Sequence, residues 1–208
     1  RLKGGQIDSS AYGTGSGGSV SLTTPTLSMK KGSLISALTD SDNPLAQGGN
    51  ITIDSLHVDV LDHSQISATN TGSGNAGTIA ISAQDSLSLQ HGSAISVASA
   101  QGDAGDIDIH TDRMLYVLNS KITTSAAAGL GNGGNITLGN PEFSLLNDSQ
   151  IIANAVEGSG GNIMLRADFF IPSTDSIVSA SSELGLQGKI SIQSQYANIA
   201  NSIGVLNG

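Results

Sequence analysis

The sequence predicts an all-β protein folded as a parallel β-helix, a solenoid in which each coil stacks on the one before. Three observations lead to this prediction. A block made of glycine, a polar residue and two aliphatic residues separated by a polar one occurs seven times. Each repeat contains three short segments in which apolar and polar residues alternate, as in half-buried strands. No segment shows the 3.6-residue period of an amphipathic helix.

The glycines that begin the seven blocks set the length of a coil. They are 31, 28, 28, 29, 27 and 27 residues apart, and a fixed period of about 20 to 50 residues is typical of solenoids. We therefore expect about seven coils of 27–31 residues with three short strands in each. The anchor glycines are Gly18, Gly49, Gly77, Gly105, Gly134, Gly161 and Gly188.

The repeat that begins at Gly77 shows the three segments most clearly. Its predicted core residues are Ile79, Ile81, Leu87, Leu89, Ile95 and Val97. Residues 83–86, 90–93 and 99–103 are polar or glycine-rich and predict turns between the segments. The same alternation predicts that Phe143 and Leu145 face the core in the fifth coil, and Ile171 and Ile177 in the sixth. Residues 114–117 fit two registers, and the pattern does not decide between them.

We predict one domain over residues 1–208. In it, 1–17 end a preceding coil, 18–187 contain six full repeats, and 188–208 form the last partial coil. The chain starts with what resembles the last third of a repeat and has no initiator Met, so we expect a fragment of a longer protein. A leucine-rich repeat and a calcium-binding nonapeptide solenoid are the alternatives at the level of fold. Neither the helical segment of the first nor the periodic Asp of the second is found.

The composition favours an extracellular protein and argues against nucleic acid as a partner. Charged residues make up 12% of the chain, fewer than the roughly 25% of ordinary soluble domains. The net charge is −9 with only eight Lys and Arg, whereas binding to nucleic acid needs a basic patch. Aromatic residues make up 3%, so stacking platforms for bases or sugars are scarce. The chain has no Cys, which excludes thiol chemistry and disulfides.

Two stretches are candidates for metal binding. In the loop 39–45, Asp40, Asp42 and Asn43 offer oxygen atoms of the kind that Ca²⁺ prefers, although Asp and Asn before Pro are also ordinary turn residues. We favour the turn and expect no metal or other cofactor, with Ca²⁺ bound by this loop as the alternative. In the acidic stretch 103–112, alternation directs Asp106 and Asp108 outward. Their expected neighbours one coil away are Thr, Asn and Ala, so no second carboxylate joins them.

No catalytic residue is predicted, and we expect the chain not to be an enzyme. Its four His do not form a zinc motif. Aligning the second turns places Lys31, Asp62 and His91 in one column, which we interpret as a surface ladder of charges. Stacking the repeats shows no concentrated column of carboxylates or basic residues along an outward face. Asn50, Asn135 and Asn162 follow anchor glycines, where Asn suits a tight turn.

Several blocks resemble a known family of repeats. They are Gly-Gly-Asn-Ile-Thr-Ile at 48–53, Gly-Ser-Gly-Asn-Ala-Gly-Thr-Ile at 72–79, Gly-Ser-Ala-Ile-Ser-Val at 92–97 and Ser-Ala-Ser-Ser-Glu-Leu-Gly-Leu-Gln-Gly at 179–188. Nearly the whole chain resembles the haemagglutinin-type repeat region of filamentous haemagglutinin-like bacterial exoproteins of two-partner secretion. That resemblance implies a right-handed β-helix, export through an outer-membrane transporter partner, and a secreted or cell-surface location.

The expected function is that of a non-catalytic rod segment of a bacterial adhesin, which presents or spaces binding regions in cell adhesion or biofilm. Its partners would be a host or neighbouring-cell surface or a matrix polysaccharide. One alternative is a self-assembling extracellular filament, in which open strand edges at Ile7 and at 199–205 stack head to tail. The other is a polysaccharide-active β-helix enzyme, which would need the charged outward column that stacking the repeats does not show.

Overall fold

The computed structural model describes residues 1–197 and 204–205. The strand pairings in this part of the chain are parallel, and each joins a strand to its counterpart one repeat away. The coils thus stack into a β-solenoid of about seven turns, which confirms the predicted fold class. Within the same residues, no helix is long and apolar enough to cross a membrane. The predicted strand at 199–205 lies outside the described residues except for 204–205.

Twenty strands form the solenoid over residues 1–197 and 204–205. In chain order they are β1 (Leu2–Lys3), β2 (Gln6–Asp8), β3 (Ala11–Tyr12), β4 (Val20–Lys30), β5 (Leu34–Ser36), β6 (Thr39–Asp40), β7 (Ile51–Val60), β8 (Gln65–Asn70), β9 (Ile79–Gln90), β10 (Ala94–Ser99), β11 (Ile107–Thr111), β12 (Met114–Leu118), β13 (Lys121–Ala126), β14 (Ile136–Gly139), β15 (Phe143–Asn147), β16 (Gln150–Ala155), β17 (Ile163–Pro172), β18 (Ile177–Ser179), β19 (Ile190–Ala197) and β20 (Gly204–Val205).

These strands belong to two sheets that run along the solenoid. The first sheet contains the first and second segments of each coil and the second sheet contains the third. In coils 4 and 5 the first two segments are separate strands, as the sequence predicts. In β4, β7, β9 and β17 they are fused into one long strand that bends, so residues 83–86 are part of a strand and not a turn. Ladder hydrogen bonds to the neighbouring coils keep this backbone extended, and a bulge between Ser55 and His57 absorbs the extra residue.

The core is a set of inward columns, each with one aliphatic side chain per coil. One column pairs five isoleucines in register, each at most 1% exposed: Ile51, Ile79, Ile107, Ile136 and Ile163. The two possible registers of residues 114–117 are also resolved. Leu115 pairs with Leu87 and Val117 with Leu89, and all four side chains are buried.

Three predicted strand faces are wrong, one in the fifth coil and two in the sixth. In the fifth coil Ser144 and Leu146 face the core, because β15 pairs with β12 in a register that places them beside Leu115 and Val117. Phe143 and Leu145 therefore point outward and are only partly buried.

In the sixth coil the same reversal applies. Phe170 is fully buried beside Ser144, whereas Ile171 is 51% exposed. Val178 takes the inward position predicted for Ile177, because it pairs with the buried Ile151. Alternation marks a strand, but where both faces carry apolar residues it does not say which face is inward.

The anchor glycines are needed because successive coils approach backbone to backbone. A Cβ atom built on Gly77 would overlap the carbonyl oxygen of Gly49, and one on Gly105 would overlap that of Gly77. The same overlap recurs with the preceding anchor at Gly49, Gly134, Gly161 and Gly188, while at Gly18 the obstacle is the side chain of Ser9. None of these glycines has a positive φ. The lack of room for a side chain, and not an unusual backbone conformation, therefore explains why these glycines recur in every repeat.

Candidate functional site

A column of mostly charged residues lies on the outside of the bend in the first sheet. We call it the bend column; its members, one per coil, are Leu56, Asp85, Arg113, Glu142 and Asp168. The alignment follows from backbone hydrogen bonds between coils, such as Arg113 N to Asp85 O at 3.1 Å and Asp168 N to Pro141 O at 3.1 Å. The interpretation that no charged column stacks along an outward face is therefore wrong. It failed because residues 83–86 were assigned to a turn, which hid the alignment.

Asp85 and Arg113 form a bidentate ion pair between adjacent coils. The Nε and Nη2 groups of Arg113 donate to the two carboxylate oxygens of Asp85 at 2.7 and 2.6 Å. This hydrogen bonding to Arg113 lowers the pKa of Asp85 to about 2, against the smaller opposing effect of desolvation, and the pKa of Arg113 is raised in turn. The side chains are 30% and 57% exposed, so solvent screens the pair and its main effect is to hold the two coils in register.

His57 brings a histidine, an aspartate and a serine together at the same place. Its Nδ1 atom lies 3.2 Å from Asp85 Oδ2 and 3.1 Å from Ser86 Oγ. A nucleophilic triad uses both ring nitrogens, one to take the proton of the serine and the other to donate to the carboxylate. Here both contacts go to the same nitrogen, so this geometry does not relay a proton from Ser86 to Asp85.

Two open depressions lie on the bend column, at equivalent positions of different coils. The larger, of about 470 Å³, is in coils 5–7 and is lined by Asn140, Arg166, Ala167, Asp168, Ile192, Gln193, Ser194 and Gln195. The other, of about 450 Å³, is in coils 1–3 and is lined by Thr23, Thr24, Pro25, Asp54, Ser55, Leu56 and Gln84. Because both occupy the same side of the bend, they form one line along the solenoid, which we call the bend groove. The Asp85–Arg113 pair lies between them.

Polar side chains of the larger depression hold one another in place. Arg166 Nε donates to Gln193 Oε1 at 3.1 Å. Gln195 Nε2 donates to Asp168 Oδ1 at 3.4 Å. Each bond joins coil 6 to coil 7, and all four side chains are exposed residues of the groove. The arrangement presents hydrogen-bond donors and acceptors side by side to solvent.

Outward apolar side chains of the second segment adjoin the bend column in coils 4–6. We call this surface the apolar wall; it contains Met114, Tyr116, Phe143, Leu145, Phe169 and Ile171. The rings of Phe143 and Phe169 stack with centroids 5.0 Å apart and an angle of 15° between their planes. The sequence predicted Phe143, Leu145 and Ile171 to be internal, so this surface was missed. Three of the five Phe and Tyr residues whose side chains the structure describes lie on it.

Of the calcium candidates, Asp40 ends β6, and Asp42 and Asn43 lie in the turn that follows it. Asn43 Oδ1 accepts a hydrogen bond from Leu45 N at 3.0 Å, and Asn43 N donates to Ser41 Oγ at 3.2 Å. Asp40 and Asp42 are exposed. Across residues 1–197 and 204–205, no three His, Cys, Asp or Glu side chains are grouped so that they could hold a metal ion.

The other predicted surface residues lie where the sequence placed them. Asp108 points outward between Ala80 and Thr137, without a stacked carboxylate. Lys31, Asp62 and His91 occupy equivalent turns, each with a left-handed backbone, and His91 Nδ1 lies 3.6 Å from Asp62 Oδ1.

A ladder of buried serines joins the coils and was not predicted. We call it the serine ladder; it contains Ser33, Ser64, Ser93, Ser120, Ser149 and Ser176, each at most 6% exposed. In each step a serine N–H donates to the Oγ of the next serine, as from Ser64 to Ser93 at 3.2 Å. The Oγ of Ser64 also donates to Leu61 O at 2.6 Å. The signal was present in the sequence, as a serine two residues before an inward aliphatic residue in the third segment of each repeat.

Asparagines that follow anchor glycines form a second ladder on the surface. Asn135 N donates to Asp106 Oδ1 at 2.7 Å, and Asn162 N donates to Asn135 Oδ1 at 3.0 Å. Asn50 Oδ1 accepts from Thr78 N in the same way at 2.9 Å. These side chains bind the next coil, so their recurrence reflects contact between coils as well as suitability for a turn.

The bend groove is thus the place where charged, amide and aromatic side chains converge, and its chemistry is that of hydrogen bonding beside an apolar surface. Comparison of the chain with protein-family models, curated proteins and solved structures finds no match. Its role is therefore inferred from its own residues.

Proposed function

We propose that this chain is a non-catalytic rod segment of a secreted or surface-attached bacterial adhesin, which spaces and presents binding regions in cell adhesion or biofilm. The observation that supports this most directly is the serine ladder, which repeats one buried hydrogen bond in each step from Ser33 to Ser176. A solenoid whose coils are joined in this way behaves as one elongated body. At about 4.8 Å per coil, seven coils span about 30–35 Å.

The surface composition and the resemblance of the repeats support the proposed location. Ser, Thr, Asn and Gln cover much of the outside, and only 12% of the residues are charged. The blocks at 48–53 and 92–97 are similar to haemagglutinin-type repeats of two-partner-secreted exoproteins. Export through an outer-membrane transporter partner is part of the same proposal.

An attachment assay with coated beads tests the adhesin role. Beads carrying the 208-residue chain would be applied to epithelial cells, to bacterial cells and to a biofilm matrix, beside beads that carry albumin. We expect the chain to increase attachment to at least one of these surfaces. Attachment no greater than with albumin on all three would overturn the proposal.

Two further measurements separate this role from its alternatives. Release of reducing ends or of unsaturated sugars from polysaccharides incubated with the chain would show catalysis and replace the proposal with an enzyme. Polymers that lengthen with protein concentration in electron micrographs would replace it with a self-assembling filament. We expect neither from a non-catalytic rod.

A further inference from the structure

We infer that the bend groove binds an extended neutral polysaccharide, with its polar floor hydrogen-bonding to sugar hydroxyls and the apolar wall covering C–H faces of the sugars. The inference rests on the proposed function, because it names the ligand that this segment of an adhesin would hold. It also goes beyond that function, since the rod would bind a ligand itself and not only space other binding regions.

The shape of the groove points to a polymer. Its two depressions occupy the same positions of coils 1–3 and coils 5–7, so they lie on one line along the solenoid. Sites for small molecules are usually enclosed and bury most of their ligand, whereas both of these depressions are open to solvent. Coils repeat about every 4.8 Å, which is close to the length of one sugar unit in an extended chain. Successive coils can therefore meet successive sugars.

The polar residues of coils 5–7 suit vicinal hydroxyl groups. Arg166 and Asp168 lie two residues apart on one strand, and Gln193 and Gln195 stand beside them one coil away. The bond from Arg166 Nε to Gln193 occupies one of the five N–H groups of a guanidinium. The carboxylate of Asp168 accepts hydrogen bonds and the glutamine amides both donate and accept. Because these side chains already hold one another, binding costs less of their rotational freedom.

The charges that face the groove favour a neutral ligand over an anionic one. Asp54, Glu142 and Asp168 are carboxylates, and Arg166 is the guanidinium of the larger depression. Arg113 is neutralised by its bidentate bond to Asp85. The net charge of the chain, −9, has the same sign. Uronate or sulfated polymers would therefore be repelled along most of the groove.

The apolar wall supplies contact area beside the larger depression. Phe143 and Phe169 stack on each other between adjacent coils and extend the apolar surface along the solenoid. Met114 occupies the same outward column one coil before Phe143. In coils 2 and 3 the equivalent residues are His57 and Ser86, so the wall is confined to one part of the groove.

Affinity electrophoresis in gels that contain a polysaccharide tests the inference. The neutral probes are dextran, laminarin, galactomannan and soluble xylan, and the anionic probes are polygalacturonate and heparin. We expect at least one neutral polymer to retard the chain, and the anionic polymers to retard it less. Added salt should change the retardation by neutral polymers little, because hydrogen bonds and apolar contacts carry the binding.

Variants at the groove and away from it locate the site. Arg166→Ala and Phe143→Ser should each weaken binding about tenfold or more, because a hydrogen bond to a charged group or an apolar contact is lost. Lys121→Ala changes an exposed residue on the outer face of the second sheet and should bind as the parent does. Circular dichroism and the urea midpoint of each variant check that it is folded. Asp168→Asn keeps the shape of the side chain and serves as a second groove variant if Phe143→Ser does not fold.

Three results would overturn the inference: no retardation by any neutral polymer, stronger retardation by the anionic ones, or groove variants that bind as the parent does. The bead assay, repeated with Arg166→Ala, distinguishes failure of the polysaccharide inference from failure of the proposed adhesin function. Beads that still attach to cells while no polysaccharide binds would leave the adhesin role intact without the groove. A chain that binds polysaccharide but does not attach to any surface would refute the adhesin role alone.

Discussion

The guanidinium of Arg113 donates to both carboxylate oxygens of Asp85, which lies one coil before it, at 2.7 and 2.6 Å. The pair lies at the middle of the bend groove, between the two depressions. The backbone bends there, between the ladder pairs Ala83–Thr111 and Ser86–Met114. The pair therefore adds a side-chain connection between coils at the bend, beside the backbone bond from Arg113 N to Asp85 O.

The free energy of unfolding should fall as the solution becomes acidic, because Asp85 takes up a proton when the chain unfolds at low pH. The folded pKa is about 2 and the ordinary value is 3.8, so the unfolded chain binds a proton first as the pH falls. The contribution of the pair is then complete above pH 3.8 and is lost as the pH falls toward 2. We expect the difference in urea midpoint between the parent and Asp85→Asn to shrink over this interval. Asp108→Asn, at an exposed carboxylate, is the control, and a difference that stays constant down to pH 2 would contradict the assignment.

Removal of one rung of the serine ladder should destabilise the solenoid. In Ser64→Ala the N–H of Ser33 loses its acceptor within the buried turn, and an unsatisfied buried donor costs about 1–3 kcal/mol. The free energy of unfolding, measured in urea, should fall by that amount. Ser67→Ala, three residues away on the outer face of β8, should change it by less than about 0.5 kcal/mol. Equal effects of the two substitutions would show that the ladder is not a main source of stability.

Two fully buried serines should respond to alanine with opposite signs. The hydroxyl of Ser144 faces the apolar core and has no hydrogen-bond partner among the described residues. Ser144→Ala should therefore raise the free energy of unfolding by about 1 kcal/mol, since an unpaired polar group is removed from the core. Ser149 donates to Asn147 O at 2.7 Å and belongs to the serine ladder. Ser149→Ala should lower the free energy by about 1–2 kcal/mol, and a loss of stability in both variants would disprove the inward position of Ser144.

The anchor glycines should not tolerate even one added methyl group. Gly77→Ala would place a Cβ atom against the backbone of Gly49, which the stacked coils cannot move aside. We expect a loss of about 3 kcal/mol or more, or failure to fold. Gly15→Ala is the matched control, because no atom lies within 4 Å of the added Cβ. Soluble yield and the thermal midpoint of the two variants give the comparison, and a Gly77→Ala protein as stable as the parent would refute the close approach of the coils.

Patterns that repeat along the whole chain predicted the fold correctly, whereas patterns confined to one strand did not. The glycine-aliphatic block recurs over the whole chain, so it indicated the solenoid, the coil length and the inward position of residues such as Ile79 and Ile107. The sequence predicted less well which face of an individual strand is directed to the core. Phe143 and Phe170 are both aromatic, yet one is outward and the other is fully buried, because the register with the previous coil decides between them.

The candidate site could not be predicted in the same way. Asp85 and Arg113 are 28 residues apart, and a simple count from the anchor glycines would align them. Residues 83–86, however, have the composition of a turn, and a turn would have directed Asp85 away from its neighbour. Only the ladder pairing on both sides shows that this segment is a strand with a bulge.

By itself the sequence determined that the chain coils with a period of about 28 residues around an aliphatic core. The spacing of the glycines and the alternation of apolar and polar residues can both be read directly from the sequence. The tertiary structure alone decided which side chains meet across coils: the serine ladder, the Asp85–Arg113 pair and the line of the bend groove. The physical reason is that these contacts join residues one whole coil apart. Hydrogen bonds and packing between coils set their register, and a bulge such as the one between Ser55 and His57 absorbs an extra residue so that later contacts stay aligned.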